Sequence, residues 1–218
     1  MPYTKAISYS GKSLYKKCPR KWHRAYILGI KSPPHPKAER GTLLHNKLDK
    51  YFLGEQVYPA GDKCLAPWQS YMENLNRFSP ASEAEVAVDS NWEPCAFDSP
   101  NAYFRGKKDL DVRTAIRKHI YDWKSGKVYP DHVLQGQAYV ALDPEDFARY
   151  CVKFAYLDIP RYVRSWHYSA DDKKRFRDEI TQEIEVIRMD ETWDPNPGDE
   201  CQWCELSWRR GGDCKAAP

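Results

Sequence analysis

The 218-residue sequence predicts an α/β chain, with a short mixed sheet flanked by helices. Three observations predict it. Helix-period apolar stripes occupy both ends of the chain, alternating or β-branched segments occupy the middle, and one helical pattern falls between two strand patterns.

The first helical pattern covers 10–29. Ser10 or Ser13 can cap it, and Leu14, Cys18, Trp22 and Tyr26 recur every four residues. Pro19 starts or kinks a helix there. A loop is expected over 31–37, then a second helix over 40–53 with Leu43, Leu44, Leu48, Tyr51 and Phe52 on its apolar side and His45 near its start. Residues 54–66 read as loop and 67–78 as a short helix. "EAEVAVDS" alternates as a strand, and 103–112 with 118–124 form a hairpin about "RTAIR". "VLQGQAYVALD" reads as a helix and "RYCVKFAYL" as a strand. In the last helix, over 169–189, Ser169 caps acids in the first turn, and Phe176, Ile180, Ile184 and Ile187 form the buried stripe. The tail, 193–218, is too rich in Pro, Gly and Cys to pack as ordinary core. One domain over 1–218 is expected, with a helical part at 10–53 and a central part at 83–160.

Apolar residues make up 41% and charged residues 30%, which suits a folded chain with a core. No apolar run reaches membrane-span length, and the opening "MPYTKAISYS" lacks a signal-peptide stretch, so the expected location is the cytoplasm, or a host's cytoplasm if the chain is viral. Net charge is +3, yet residues 1–50 hold 12 Lys/Arg against Glu39 and Asp49. That asymmetry suggests a face for a polyanion, with Lys16, Lys17, Arg20, Lys21 and Arg24 neutralising phosphates, or else a solvated basic helix. Trp22, Trp92, Trp203 and Trp208 lie beside polar stretches and offer stacking partners for unpaired bases. The seven cysteines, an odd count without an export signal, argue against a disulfide framework, and the C-x₂-C at Cys201 and Cys204 points to a metal or redox site.

"IYDWKSGK" carries the chemistry. In a strand Asp122 and Lys124 share a face with Ile120, while Tyr121 and Trp123 take the other. Pairing about Ala115–Ile116 sets Asp109 opposite Asp122. Like charges facing across strands are destabilising and call for a cation. Lys124 supplies one charge, and Mg²⁺ or Mn²⁺ would supply more, which suits metal-assisted phosphodiester hydrolysis.

"FRGKKDLDVR…IYDWKSGK…DHVLQGQAY" resembles the core of the PD-(D/E)XK nuclease superfamily in its RecB-like branch. "RGTLLHNKLDKYF" and "SGKSLYKKCPRKWHRAYILG" are similar to that branch's upstream helices. The resemblance implies a restriction-endonuclease-like fold and a DNA exonuclease acting on single strands or ends. Asp109, Asp122 and His45 would be metal ligands with the Trp123 carbonyl. Lys124 would be the catalytic lysine, and Gln135 and Tyr139 would lie beside the site. Asp111 is the main rival to Asp109, and Glu83 or Glu85 a weaker candidate. The iron–sulfur members, which include CRISPR adaptation exonucleases and AddB-type nucleases, imply a 4Fe–4S cluster on Cys18, Cys201, Cys204 and Cys214 that joins the chain's two ends. The spacing after Cys204 is longer than in those members and leaves structural Zn²⁺ open. Cys64, Cys95 and Cys151 are ordinary thiols on this reading. The competing readings are a non-catalytic DNA-binding subunit with the same fold and a structural zinc protein with an incidental hairpin.

Overall fold

The computed structural model describes residues 3–30, 32 and 36–216. A short strand β1 (Ile7–Ser8) leads into α1 (Tyr9–Lys17) and α2 (Pro19–Tyr26). The helix expected over 10–29 is therefore two. Cys18 is extended (φ −161°, ψ 108°), and Pro19 takes the first helical position of α2, where its missing N–H is no loss. Ser8 caps α1, its Oγ accepting the Gly11 N–H at 3.1 Å.

Next comes α3 (Pro36–Phe52), which begins on a proline four residues before the expected start. Of the predicted loop over 31–37, residues 31 and 33–35 lie outside the described residues. After one 3-10 turn, α4 (Gln69–Asn76) completes the first helical part.

The central part holds β2 (Ala81–Val88), β3 (Pro94–Cys95), β4 (Phe104–Arg113) and β5 (Arg117–Lys124). It continues through α5 (His132–Leu142), β6 (Arg149–Tyr156), β7 (Val163–Ser169) and α6 (Ala170–Met189). The sheet runs β3-β2-β4-β5-β6-β7, with β1 pairing beside β4. It is mixed as expected: β5 and β6 are parallel, joined by the α5 crossover, and β4–β5 and β6–β7 are antiparallel. The hairpin turns at Ala115–Ile116, where Thr114 N–H donates to the Arg117 carbonyl at 3.0 Å, and Leu110 pairs with Tyr121. A non-glycine turn holds because the Thr114 hydroxyl also accepts the Arg117 N–H at 3.2 Å. The short strands β1 and β3 and the edge strand β7 lay outside the sequence expectation, although "VRSWHYS" carries a strand's β-branched and aromatic residues.

Two apolar layers cover the sheet. On one side Phe104, Ile120, Val152 and Phe154 meet α5, α6 and the buried Trp22 of α2. On the other, Leu110, Tyr121, Trp123 and Leu157 meet Leu44 and Leu48 of α3 and Met72 of α4. Ile120 and Trp123 thus face opposite layers, as strand alternation requires. The Ser169 cap and the Phe176–Ile180–Ile184–Ile187 stripe of α6 are both observed. Trp22 binds the chain's ends together, stacking on Tyr26 and Trp193 with centroids 5.1 and 5.2 Å apart. It is core and therefore closed to nucleic acid, whereas Trp203 and Trp208 are exposed. Among the described residues, no helix is long and apolar enough to cross a membrane.

Candidate active site

Two motif glycines set the site by close approach. A Cβ on Gly106 of β4 would stand 2.8 Å from Leu142 of α5, and one on Gly41 of α3 would stand 2.8 Å from the Ser125 hydroxyl. Without side chains there, α5 and α3 close on the β4–β5 hairpin from opposite sides. The observed register matches the expected one and ends at Leu110–Tyr121, one step before Asp109 and Asp122, whose charges still act on each other. The Trp123 N–H crosses the pair to donate to Asp109 Oδ2 at 2.6 Å.

Asp122 is nearly sealed, at 2% exposure. Its Oδ2 accepts the Tyr139 hydroxyl at 2.7 Å and the Gln135 amide at 3.1 Å. Lys124 Nζ lies 2.6 Å from Asp122 Oδ1 and donates to Gln135 Oε1 at 2.7 Å. Oδ1 itself accepts no hydrogen bond of good geometry, so one lone-pair direction of a buried carboxylate is left open. The i, i+4 spacing on α5 places Gln135 and Tyr139 on one face, and the two are bonded at 2.7 Å.

His45, on α3, bridges to the second acid: its Nδ1 lies 3.1 Å from Asp109 Oδ1. Burial opposes a charge on His45, but the Asp109 hydrogen bond, the charges of Asp109 and Asp122 and the Trp123 backbone outweigh it and raise its pKa to about 9. Burial first, and then the Asp122 charge, lift Asp109 to about 6. Burial also drives the Tyr139 hydroxyl far up, which keeps it a donor to Asp122. A proton on His45 thus carries the positive charge that two facing acids demand.

A cleft of about 490 Å³ opens over these groups, lined by His45, Glu83, Lys107, Asp109, Trp123 and Lys124 among others. Ligand atoms of His45, Glu83 and Asp109 all lie within 4.8 Å of one another. Carboxylate oxygens with one imidazole suit a hard divalent ion, so the residues present fit Mg²⁺ or Mn²⁺. Asp122 is not in that triplet. It sits beneath it, held by Lys124, Gln135 and Tyr139.

Asp111, the rival acid, lies elsewhere. It joins Lys118 at 3.1 Å and Lys108 at 3.4 Å, and both lysines reach the fully buried Asp143 at the end of α5. Residues 108 and 111 share a side although regular alternation would oppose them, so the strand's facing slips by one between them. That slip turns Asp109 toward α3 and Asp111 toward α5. Sequence spacing carries no sign of it.

Four of the five basic residues expected to meet phosphates are engaged by the tail. Lys17 pairs with Glu200 at 3.1 Å, Arg20 with Asp213 at 3.0 Å, and Lys21 and Arg24 with Glu205 at 3.4 and 3.7 Å. Lys16 is exposed and has no carboxylate partner among the described residues. The cysteines expected around one centre are gathered at one end of the molecule and not closed around a point. Cys18, Cys201 and Cys204 line one cavity of about 910 Å³, and Cys214 is buried in the bridge to Ser207. Among the described residues no three of these sulfurs lie within 4.8 Å.

Sequence reasoning missed the clamp on the cleft's rim. Arg40 pairs with Asp158, 3.1 Å from Nη1 to Oδ2, and the Gly126 N–H donates to the same carboxylate at 2.6 Å. This fixes the start of α3 to the loop after β5. Asp158 lies in a stretch without a motif, so only its place in space reveals it.

No curated protein matches the sequence. Two solved structures share the fold. One is SSO0001, with TM-score 0.52 and 16% identity over 99% of this chain and 89% of that one. The other is a protein of Eubacterium rectale named as a candidate exonuclease, with TM-score 0.54 and 13% identity over 94% and 88% of the two chains. The family model for the PD-(D/E)XK nuclease superfamily matches residues 6–209, nearly the whole chain. With the facing acids, the lysine two residues on and the mixed sheet that presents them, the chain belongs to the PD-(D/E)XK nuclease superfamily.

Proposed function

We propose that the chain is a Mg²⁺- or Mn²⁺-dependent deoxyribonuclease of the RecB-like branch, an exonuclease on single-stranded DNA or DNA ends. The observation that carries this is the Asp122–Lys124–Gln135–Tyr139 network packed against the His45–Asp109 pair. His45, Asp109, Asp122 and the Trp123 carbonyl would hold the ion. When bound, the ion polarises a phosphoryl oxygen and lowers the pKa of a water. Lys124, anchored by Asp122 and Gln135, points its ammonium at the cleft, where it orients the attacking water and offsets charge on the phosphate. Tyr139 and Gln135 hold the Asp122 carboxylate in place, which in turn positions Lys124. Burial of both acids strengthens each of these contacts relative to water.

The name of the Eubacterium rectale structure supports the exonuclease reading, and Lys16, Trp203 and Trp208 are the exposed groups suited to a single strand. End-labelled single-stranded and duplex DNA, incubated with Mn²⁺ and the wild type or Lys124→Ala, tests it. Mononucleotide or short-oligonucleotide release lost in Lys124→Ala is expected. Cleavage unaffected by that substitution would reject it.

We also propose that Cys18, Cys201, Cys204 and Cys214 hold a 4Fe–4S cluster. The open cavity between three of the thiols favours it over zinc. Four thiolates on one Zn²⁺ stand about 3.8 Å apart, given Zn–S of about 2.3 Å. A cubane carries its thiolates on outer corners, farther from one another. Anaerobic purification should give a brown protein with iron and sulfide in equal amounts, and a colourless zinc protein would overturn this assignment.

A further inference from the structure

Glu83 has a left-handed backbone in the middle of a strand, at φ +50°. A glutamate gains nothing from that conformation, and strain of this kind collects at functional sites. Glu83 lies between Ser82, which pairs with Leu110, and Ala84, which pairs with Lys108, so it stands across β2–β4 from Asp109. Its carboxylate reaches within 4.8 Å of both His45 and Asp109 and is held by Lys107, at 2.6 Å. A surface ion pair does not explain this. Glu85, on ordinary backbone, already lies 3.9 Å from the same ammonium and is half exposed. What the left-handed turn adds is the approach to His45 and Asp109.

We propose that Glu83 is a further ligand of the metal site, held in reserve by Lys107. The carboxylates of Glu83 and Asp109 line one cleft, and the buried Asp122 lies behind Asp109. In the structure their charge is offset by the His45 proton and by the ammoniums of Lys107 and Lys124. A divalent ion would supply two charges and draw Glu83 from Lys107, whose ammonium would keep only the longer contact to Glu85. Lys107 is thus a competitor of the ion for the same oxygens.

This inference rests on the metal-dependent reading above, and titration of Mn²⁺ into the full chain by calorimetry, without DNA, separates the two. Wild type should bind, and Asp109→Asn should not. Glu83→Gln should bind at least roughly 10-fold more weakly, the loss typical of even an outer-shell partner. Glu83→Gly should weaken binding as much. Glycine accepts the left-handed backbone, so a folding defect cannot account for that loss. Lys107→Met should bind roughly 30-fold more tightly, the value of one positive charge ~4 Å from a divalent ion in a water-like medium. Unchanged affinity in both Glu83 variants, with Asp109→Asn still defective, overturns this inference alone, as does weaker binding by Lys107→Met. No binding by the wild type overturns both readings.

Discussion

Replacing Lys108 by Met tests how the fold holds α5, the helix that carries Gln135 and Tyr139. Lys108 and Asp143 are fully buried, and Lys118 and Asp111 nearly so. Lys108 Nζ donates to Asp143 Oδ2 at 2.7 Å, and Lys118 stands 3.4 Å from that carboxylate. The four charges sum to zero. Burial alone would push Asp143 up, and the two ammoniums hold it below its usual range. Methionine fills the lysine's stem and leaves one net negative charge sealed against α5. Breaking a buried pair on one side costs about 3–5 kcal/mol. Lys118 remains within reach of both acids, which puts the loss near the lower figure, roughly 3 kcal/mol. For a chain of this size, that lowers Tm by about 6–12 °C. Urea unfolding of Lys108→Met and of Lys108→Met/Asp143→Asn measures it, and the double variant should recover more than half of the loss. A single-variant loss under about 1 kcal/mol would refute the argument, because it would mean that water reaches the tetrad.

Tyr139→Phe removes the 2.7 Å donor to Asp122 and the acceptor of the Gln135 amide but keeps the packed ring, so Mn²⁺ affinity or cleavage should fall by about 10–100-fold while the melting temperature moves little. His45, raised to about 9, must lose its proton before it can ligate. Mn²⁺ affinity should therefore rise by about 10-fold per pH unit toward pH 9, with proton release visible in buffers of different ionisation heat, and His45→Asn should flatten that slope. The sign for stability is the reverse. A raised histidine stabilises the metal-free fold below its unfolded pKa, and that contribution is lost as pH climbs through about 9, so melts in EDTA should fall from pH 7 to 9.5. Trp22→Ala opens a cavity between Tyr26 and Trp193 and should cost about 3–5 kcal/mol, read by denaturant unfolding, because the stack joins the chain's two ends.

The elements that local chemistry dictates were legible in the sequence. Ser169 and its first-turn acids start α6, Pro19 starts α2, and alternation with a short turn fixed the β4–β5 register to the residue. The resemblance carried by "RGTLLHNKLDKYF", "GKKD", "DWKSG" and "QGQAY" named His45, Asp109, Asp122, Lys124, Gln135 and Tyr139, and the folded chain brings all six to one site. Strand β7 was missed because a seven-residue edge strand exposed on one side has no continuous apolar signal.

Periodicity and motif spacing are properties of neighbours along the chain, and these the sequence determined by itself: the helices and main strands, the hairpin register and the acid–lysine pair. Tertiary structure decided which carboxylate faces which partner. Asp109 and Asp111 would share a face in a regularly alternating strand, and a one-residue slip in facing sends one to His45 and the other to Lys118. The basic residues of α1 and α2 read as a free polyanion surface until the tail folds back with Glu200, Glu205 and Asp213. Glu83 looks like any strand glutamate until its backbone turns left-handed opposite Asp109. Charge acts through space over a few ångströms, whereas sequence order records only proximity along the backbone.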